Sequence, residues 1–497
     1  MVKLANPILL VGIPLFFAFL IAVLAPLYKK SVKYMPIIAF GLNLTVALSL
    51  IPEVLKKGVV IATTAGIKPP FAINMAVDRL GLFLAIIASL LGFVVSIYNT
   101  VYIKDEPAEK FYMLFTLLVT GLTWMIITGD MFNLFVAFEV TSISAFGLVG
   151  FHRDKGAVEA GFKYLVLGSI GASLLLIGVI MLYAATGTLN MADIAQKLLK
   201  FSFRQKLLPY VFIFTGLGIE GALFPLNAWL PDAHPAAPSS VSAILSGIMT
   251  TAAIYGIIRT TVTVFNYYQV VIFLILFGLL TLIFGETAAF FQKDIKRMLA
   301  YSTIGQTGLF FYAFSLGSVG GMKGAFMQMM NHSIAKAMLF LLVGGIILRV
   351  GTRNIDDFAG IGRKMKITAF FFAIAAFSLM GLPPFFGFWS KLQIIFATLK
   401  GVNFYTVSFV IIVLFMSVIE GAYFFRVLQV MLFKEPKEGV EVKEAPGWML
   451  TAVIVLGIIL IVMSVYPQPI MNYAGKAASD LVSRNVYINA VLHLGGL

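Results

Sequence analysis

The chain is a succession of apolar runs, each near the ~20 residues an α-helix needs to cross a ~30 Å hydrocarbon core, separated by short polar segments. The runs fall at 7–27, 34–52, 78–100, 111–127, 130–150, 158–186, 207–227, 236–264, 267–290, 297–315, 321–350, 368–398, 404–430 and 447–467. A backbone in lipid must satisfy its own hydrogen bonds, which leaves only helices or closed barrels. Runs this long and uniformly apolar are not the ~10-residue alternating segments of a barrel. The expected fold class is all-α, a polytopic membrane protein of about 14 transmembrane helices. The first run is too long for a signal peptide and lacks a small-residue cleavage site, so it reads as the first span.

The charge balance agrees with that setting. The chain is 60% hydrophobic and 12% charged with a formal charge of +14, yet its basic residues form short clusters between runs, where they act as topology signals. "YKKSVK", "FHRDK", "QKDIKR" and "GIGRKMK" hold the larger share and are expected inside, which places both termini outside the cytoplasmic membrane. No basic tract with interleaved aromatics points to nucleic acid. The longest polar stretch, "KEPKEGVEVKEAP" from Lys434, reads as a solvated loop. With no cysteine, disulfides and Cys-ligated iron–sulfur or zinc centres are excluded within the chain. No GxxxxGK[ST] loop occurs, and "GSVGGMKG" lacks its spacing. No cofactor is expected in this chain, and any redox site lies in another subunit. Moving one charge across 100 mV involves about 2.3 kcal/mol, so a second ion gradient or a redox partner must drive transport.

Ionisable residues inside the runs carry the functional signal, because each costs roughly 2.5–3.5 kcal/mol at a helix centre and must face protein or water. Glu139 lies in the fifth run, with Ser142 on its face at i+3. It reads either as a neutral acid tying two helices together or as a proton-binding site tuned by a nearby cation. Lys163 is the candidate cation. It either pairs with Glu159 at i−4 or turns toward Glu139. "IEGALFPLNAWLPDAH" places Glu220 before Pro225, and "MGLPPFFGFWSKLQ" places Pro383 and Pro384 before Lys391. Proline should break the seventh and twelfth helices at depth, the pattern of a repeated transporter fold with sites at the midplane. Lys391 carries a second reading, a lysine snorkelling from a helix end. Gln328, His332 and Lys336 follow at i, i+4 and i+8, a polar stripe suited to a proton relay. Metal binding is a poor reading, since no second histidine stands at a ligand spacing from His332.

These residues sit in a longer resemblance. "GDMFNLFVAFEVTSISAFGL", "FKYLVLGSIGASLLLIG", "TGTLNMADIA", "FPLNAWLPDAHPAAPSSVSAILSG", "QKDIKRMLAYSTIGQTG", "NHSIAKAMLFL" and "GLPPFFGFWSK" together resemble the antiporter-like membrane subunits of Mrp cation/proton antiporters, archaeal membrane-bound hydrogenase and sulfur-reducing complexes, and respiratory complex I. The likeness runs over roughly residues 70 to 430 and leans toward the D-type component of Mrp antiporters and its hydrogenase counterpart. It implies 14 helices with two inverted five-helix repeats. The implied organisation is helices 1–3 over residues 1–105, a first repeat over 106–265, a second over 266–432, and a C-terminal loop and helix 14 over 433–497. It also implies two half-channels joined by a polar axis. In it, Glu139 matches the fifth-helix glutamate, Lys163 the lysine that modulates it, His332 and Lys336 the axis residues, and Lys391 the twelfth-helix lysine.

Two positions depart from that pattern. Glu220 stands where the family usually has lysine, and Thr251 where lysine or histidine is usual. Three outcomes stay open: Glu220 carries the proton, Glu220 with nearby oxygens transiently holds Na⁺, or the first repeat transmits conformational change without conducting. Glu286 and Glu420, inside other runs, extend the carboxylate count, with Glu420 alternatively pairing Arg426. The expected function is movement of protons, or exchange of H⁺ for Na⁺, by a membrane subunit of an Mrp-type antiporter or of an ion-translocating oxidoreductase (hydrogenase, sulfur reductase or NADH dehydrogenase-like). Its partners are other membrane subunits, lipid and a peripheral redox arm. The rivals are a non-conducting structural subunit and a stand-alone Na⁺/H⁺ antiporter.

Overall fold

The computed structural model describes residues 4–67, 69–104, 107–266, 270–401, 403–436 and 443–493. Part of the polar stretch that begins at Lys434 lies outside them. Helices dominate, and among the described residues eleven are long and apolar enough to cross a membrane. The chain opens with α1 (Leu9–Tyr28), α2 (Met35–Ser49) and the short α3 (Ile51–Lys57). A two-stranded antiparallel hairpin follows, β1 (Val59–Thr63) with β2 (Asn74–Asp78), in a register that opposes Val59 to Asp78 and Thr63 to Asn74.

Next come α4 (Arg79–Tyr102), α5 (Ala108–Ile127), α6 (Met131–Val149), α7 (Lys155–Thr186) and the short α8 (Met191–Lys197). Aspartates begin several of these helices. Asp78, Asp130 and Asp154 each accept a backbone N–H three residues on, at 2.8, 2.8 and 2.9 Å, which satisfies donors the first turn leaves open.

The seventh apolar run is interrupted as its prolines require. It forms α9 (Phe203–Glu220), an irregular segment, and α10 (Leu230–Ala236). Carbonyls freed at the break find donors: Leu223 N–H reaches Gly218 O at 3.0 Å and the Trp229 indole reaches Ile219 O at 2.7 Å. The next element, α11 (Ser239–Phe265), is buried along its whole apolar length and contains two π-helical segments, Leu245–Met249 and Arg259–Phe265. Then follow α12 (Val271–Phe290), α13 (Ile295–Ser315) and α14 (Val319–Val350). α12 and α13 touch backbone to backbone, and a Cβ on Gly285 would stand 2.2 Å from Gly305 N.

The twelfth run is likewise split, into α15 (Lys366–Met380) and α16 (Phe386–Thr398). Gly381 ends α15 in the left-handed region at φ 79°, and a Cβ on Gly387 would lie 1.7 Å from Ser378 O. The two half-helices therefore approach as closely as a backbone without a side chain allows. α17 (Phe404–Phe433), α18 (Gly447–Val465), α19 (Gln468–Val482) and α20 (Asn485–His493) complete the chain.

α19 and α20 fold over the end that carries the hairpin. Arg79 pairs with Asp480, and the Tyr473 hydroxyl donates to Arg79 O at 2.8 Å. Beside them Arg259 forms a buried ion pair with Asp78, its guanidinium 4.6 Å from the Tyr487 ring centre. Large apolar side chains such as Phe16, Phe19, Ile143 and Phe415 remain exposed, which suits a surface bathed in lipid rather than water.

Candidate functional site

Three buried polar clusters lie within the bundle, two of them at the helix breaks. At the first break Glu220 is the last residue of α9 and is fully buried. Its Oε1 accepts from Ser142 Oγ of α6 at 3.2 Å and from the Tyr164 hydroxyl of α7 at 3.1 Å. Tyr164 is held flat on Trp229, with ring centres 3.9 Å apart, so the residue that caps the break also aims the phenol. Glu220 Oε2 is buried with no hydrogen-bond partner among the described residues. Thr251 Oγ1, on α11, is in the same condition.

Glu139 lies on the same helix as Ser142, half-buried and within electrostatic reach of Glu220. Lys163 does not turn toward it. Its ammonium is 2.9 Å from Glu159 and 3.1 Å from Asp232 and about half exposed, because the restart of the broken helix at α10 brings Asp232 over it. Glu159, Lys163 and Asp232 border a cleft of about 480 Å³, together with Lys296, Arg297 and Arg353. The neighbour that reaches inward is Tyr164.

The second break builds a denser cluster. Ending α15 at Met380 exposes its carbonyl, and Lys391 of α16 donates to it at 3.1 Å. The same ammonium lies 3.3 Å from Ser417 Oγ and 2.6 Å from Glu420 Oε2 of α17. Glu420 thus pairs with Lys391, not with Arg426, whose guanidinium binds the carbonyls of Phe290 and Gln292. Nor does Lys391 snorkel, since its side chain is only 8% exposed. Gln306 Nε2 donates to Glu420 Oε1 at 2.6 Å, Gln328 to Gln306, and Ser390 to Gln328, so the cluster is a closed hydrogen-bonded chain across four helices. Nearby, Glu286 accepts the Tyr423 hydroxyl at 2.7 Å.

Between the breaks lie His332 and Lys336 on α14, both fully buried. His332 Nε2 is 3.0 Å from Ser246 O. Ser246 falls in the π-helical segment Leu245–Met249, where a widened turn loosens carbonyls from the α-helical ladder. Lys336 Nζ donates one long hydrogen bond, 3.4 Å to Leu299 O. The stripe at i, i+4, i+8 is therefore one face of α14 along which Gln328 meets α13 and α16, His332 meets α11 and Lys336 meets α13. Among the described residues no group of three His, Asp or Glu is arranged to hold a metal ion.

Several residues of these clusters carried no distinct signal in the sequence. Tyr164 and Tyr423 look like aromatic packing in apolar runs. Lys296, buried and donating to Ala237 O, sits in a basic cluster that reads as a topology signal. His234 is fully buried, stacks on Phe340 at 4.9 Å and has no hydrogen-bond partner on either nitrogen among the described residues. Lys296, Lys336 and His332 lie within its electrostatic reach. Its one available clue was that it is one of four histidines, next to a broken helix.

The chain resembles known proteins over nearly its full length. It is 34% identical to the N-type component of the NADH-quinone oxidoreductase of Desulforudis audaxviator, over 94% of this chain and 97% of that one. It is 29% identical to the D-type component of the Na⁺/H⁺ antiporter of Alkalihalophilus pseudofirmus, over 97% and 99%. Its fold superposes on a chain of an archaeal membrane-bound sulfane sulfur reductase with a TM-score of 0.90 at 36% identity, covering 98% of this chain and 99% of that one. A chain of the Mrp complex of a Dietzia species superposes with a TM-score of 0.91 at 22% identity, covering 99% and 100%. The family model described as the transmembrane region of NADH:quinone oxidoreductase and Mrp antiporters matches residues 128–419, a span that holds both helix breaks and ends one residue before Glu420. The chain belongs to that NADH:quinone oxidoreductase/Mrp antiporter family of membrane proteins.

Proposed function

We propose that this chain is an ion-translocating membrane subunit that moves protons, or exchanges them for Na⁺, within a multisubunit antiporter or redox-driven respiratory complex. One observation carries the reading: ionisable side chains are buried at both helix breaks, with His332 and Lys336 buried between them. Buried charge in a membrane is expensive and survives where it works. In this reading the chain has fourteen spans, counting each broken pair and α13 as one span apiece. They divide into two inverted repeats over 106–265 and 266–432, flanked by 1–105 and 433–497, with both termini outside the cytoplasmic membrane. Glu220 is the proton carrier of the first repeat. The hydroxyls of Ser142 and Tyr164 hold its Oε1, leaving Oε2 to take and release the proton. Lys391 with Glu420 is the carrier of the second. Glu139 and Lys163 modulate entry to the first. The driving force comes from partner subunits or a second ion gradient.

The test is a ΔpH assay in vesicles reconstituted with the whole complex, comparing wild type with Glu139→Gln, Glu220→Gln and Lys391→Ala. The proposal requires a large loss in each, and unchanged translocation in all three refutes it. A second reading, a non-conducting coupling subunit, is favoured by one observation: Lys163 is engaged with Glu159 and Asp232 instead of Glu139. That reading predicts wild-type ΔpH in the same variants. Activity of the chain purified without partners would instead mark it as a self-sufficient antiporter.

A further inference from the structure

Glu286 has no role in the scheme above, and its surroundings are built around a carboxyl. It is 1% exposed near the end of α12. Its Oε2 receives the Tyr423 hydroxyl at 2.7 Å, and that hydroxyl stands 2.6 Å from Ser302 Oγ. Its Oε1 is buried and has no hydrogen-bond partner among the described residues. The carboxyl lies directly on the backbone of α13, where a Cβ on Gly305 would come within 2.2 Å of Oε1. The close approach of α12 and α13 through Gly285 and Gly305 therefore creates the seat. A half-satisfied carboxyl in such a place carries a standing desolvation cost, which a visiting donor removes.

The charged groups within electrostatic reach of Glu286 are Glu420, Lys336 and Lys391. They differ in how firmly they are held. Lys391 is saturated by Met380 O, Ser417 Oγ and Glu420. Lys336 has the long contact to Leu299 O and a cation–π contact to Phe424 at 5.7 Å. Phe424 is the neighbour of Tyr423 on α17, so consecutive residues touch Lys336 and Glu286. Lys336 is thus the loosely held donor and Glu286 the open acceptor.

Resting on the proposed function, we propose that Glu286 is a proton station joining Lys336 to Lys391. The Lys336 ammonium swings from Leu299 to Glu286 Oε1 and gives up its proton, leaving a neutral amine and a carboxylic acid. When Lys391 has delivered its own proton and stands as the amine, the acid proton passes along the face of α17 that bears Tyr423 and Glu420. Glu286 returns to the carboxylate and Lys391 to the ammonium. Charge and protons balance at each step.

The experiment uses the intact complex in proteoliposomes with a pH-sensitive dye, together with melting curves of the purified complex. Glu286→Gln keeps the shape and the acceptor for Tyr423 but cannot carry a proton. It is expected to slow ΔpH formation by about a hundredfold, the usual weight of a positioned acid–base group, with an unchanged melting curve. Glu286→Asp, which keeps a carboxyl, is expected to recover part of the rate. Infrared difference spectra should show a carboxyl band that titrates in wild type and is missing in Glu286→Gln. Pumping by Glu286→Gln within about twofold of wild type, while Lys391→Ala is inactive, overturns this inference and leaves the proposed function standing. Full activity in both variants refutes the proposed function itself. If Glu286→Gln does not assemble, the infrared difference spectrum of Glu286→Asp decides: pumping at the wild-type rate with the titrating carboxyl band unmoved from its wild-type position overturns the station.

Discussion

Replacing Lys391 by methionine probes the second break most directly. Methionine keeps an unbranched apolar stem and removes the charge. The Lys391 and Glu420 side chains are 8% and 2% exposed, so water does not compensate the carboxylate that is left. Removing one partner of a buried ion pair typically costs about 3–5 kcal/mol. Gln306 still donates to Glu420 at 2.6 Å, and a hydrogen bond to a charged group recovers part of that, which places the expected loss at the low end, about 3 kcal/mol. Changing both residues, Lys391→Met with Glu420→Gln, removes the stranded charge while keeping the amide contact to Gln306. The double variant should regain about 2 kcal/mol of the loss, within the usual range of coupling between contacting residues. The assay is denaturant unfolding of the purified complex in a fixed detergent for wild type, both single variants and the double, closing a cycle. Transport is measured on the same samples, and both Lys391 variants should fail to acidify vesicles although the double is stable. A single variant as stable as wild type, or a double no more stable than the single, refutes the buried pair as described.

The first break gives a finer test. Tyr164→Phe keeps the stack on Trp229 but removes one donor to Glu220, and should cost about 1.5–3 kcal/mol if Glu220 is ionised and about 1 if it is neutral; unfolding midpoints distinguish the two. Gly285→Ala places a methyl 2.2 Å from Gly305 N and should destabilise by at least 1–3 kcal/mol, roughly the cost of overpacking; an unchanged midpoint would contradict the backbone contact. Lys163→Ala breaks only exposed pairs with Glu159 and Asp232, so the melting curve should not move, whatever happens to transport in vesicles.

The order of the long apolar helices was legible because hydrophobicity and proline act locally, whereas the hairpin and the short helices α3, α8, α19 and α20 carried no such signal. Long apolar runs dictate helices in lipid, and Pro225 and the Pro383–Pro384 pair interrupt them wherever the rest of the chain goes. The residues worth asking about were legible for the same reason: Glu220, His332, Lys336 and Lys391 stand out against apolar neighbours whatever they face. Their partners were not. Lys163 could be assigned to Glu139 or to Glu159 by spacing, and Asp232, from a helix that restarts 69 residues later, entered neither reading. Glu420 had a plausible local partner in Arg426 and takes a distant one in Lys391. Tyr164, Tyr423 and Gln306 became visible only once three or four helices had been packed together.

Sequence alone therefore determined that this chain spans a membrane as helices and where two of them break, and it picked out Glu220, His332, Lys336 and Lys391 as charges held at depth while missing the buried Lys296 and Arg259. Tertiary structure decided which of those charges meet. A helix shows every position to some neighbour, and only the rotation and crossing of neighbouring helices, set here by contacts as close as Gly285 on Gly305 and Gly387 on Ser378, fix which neighbour it is.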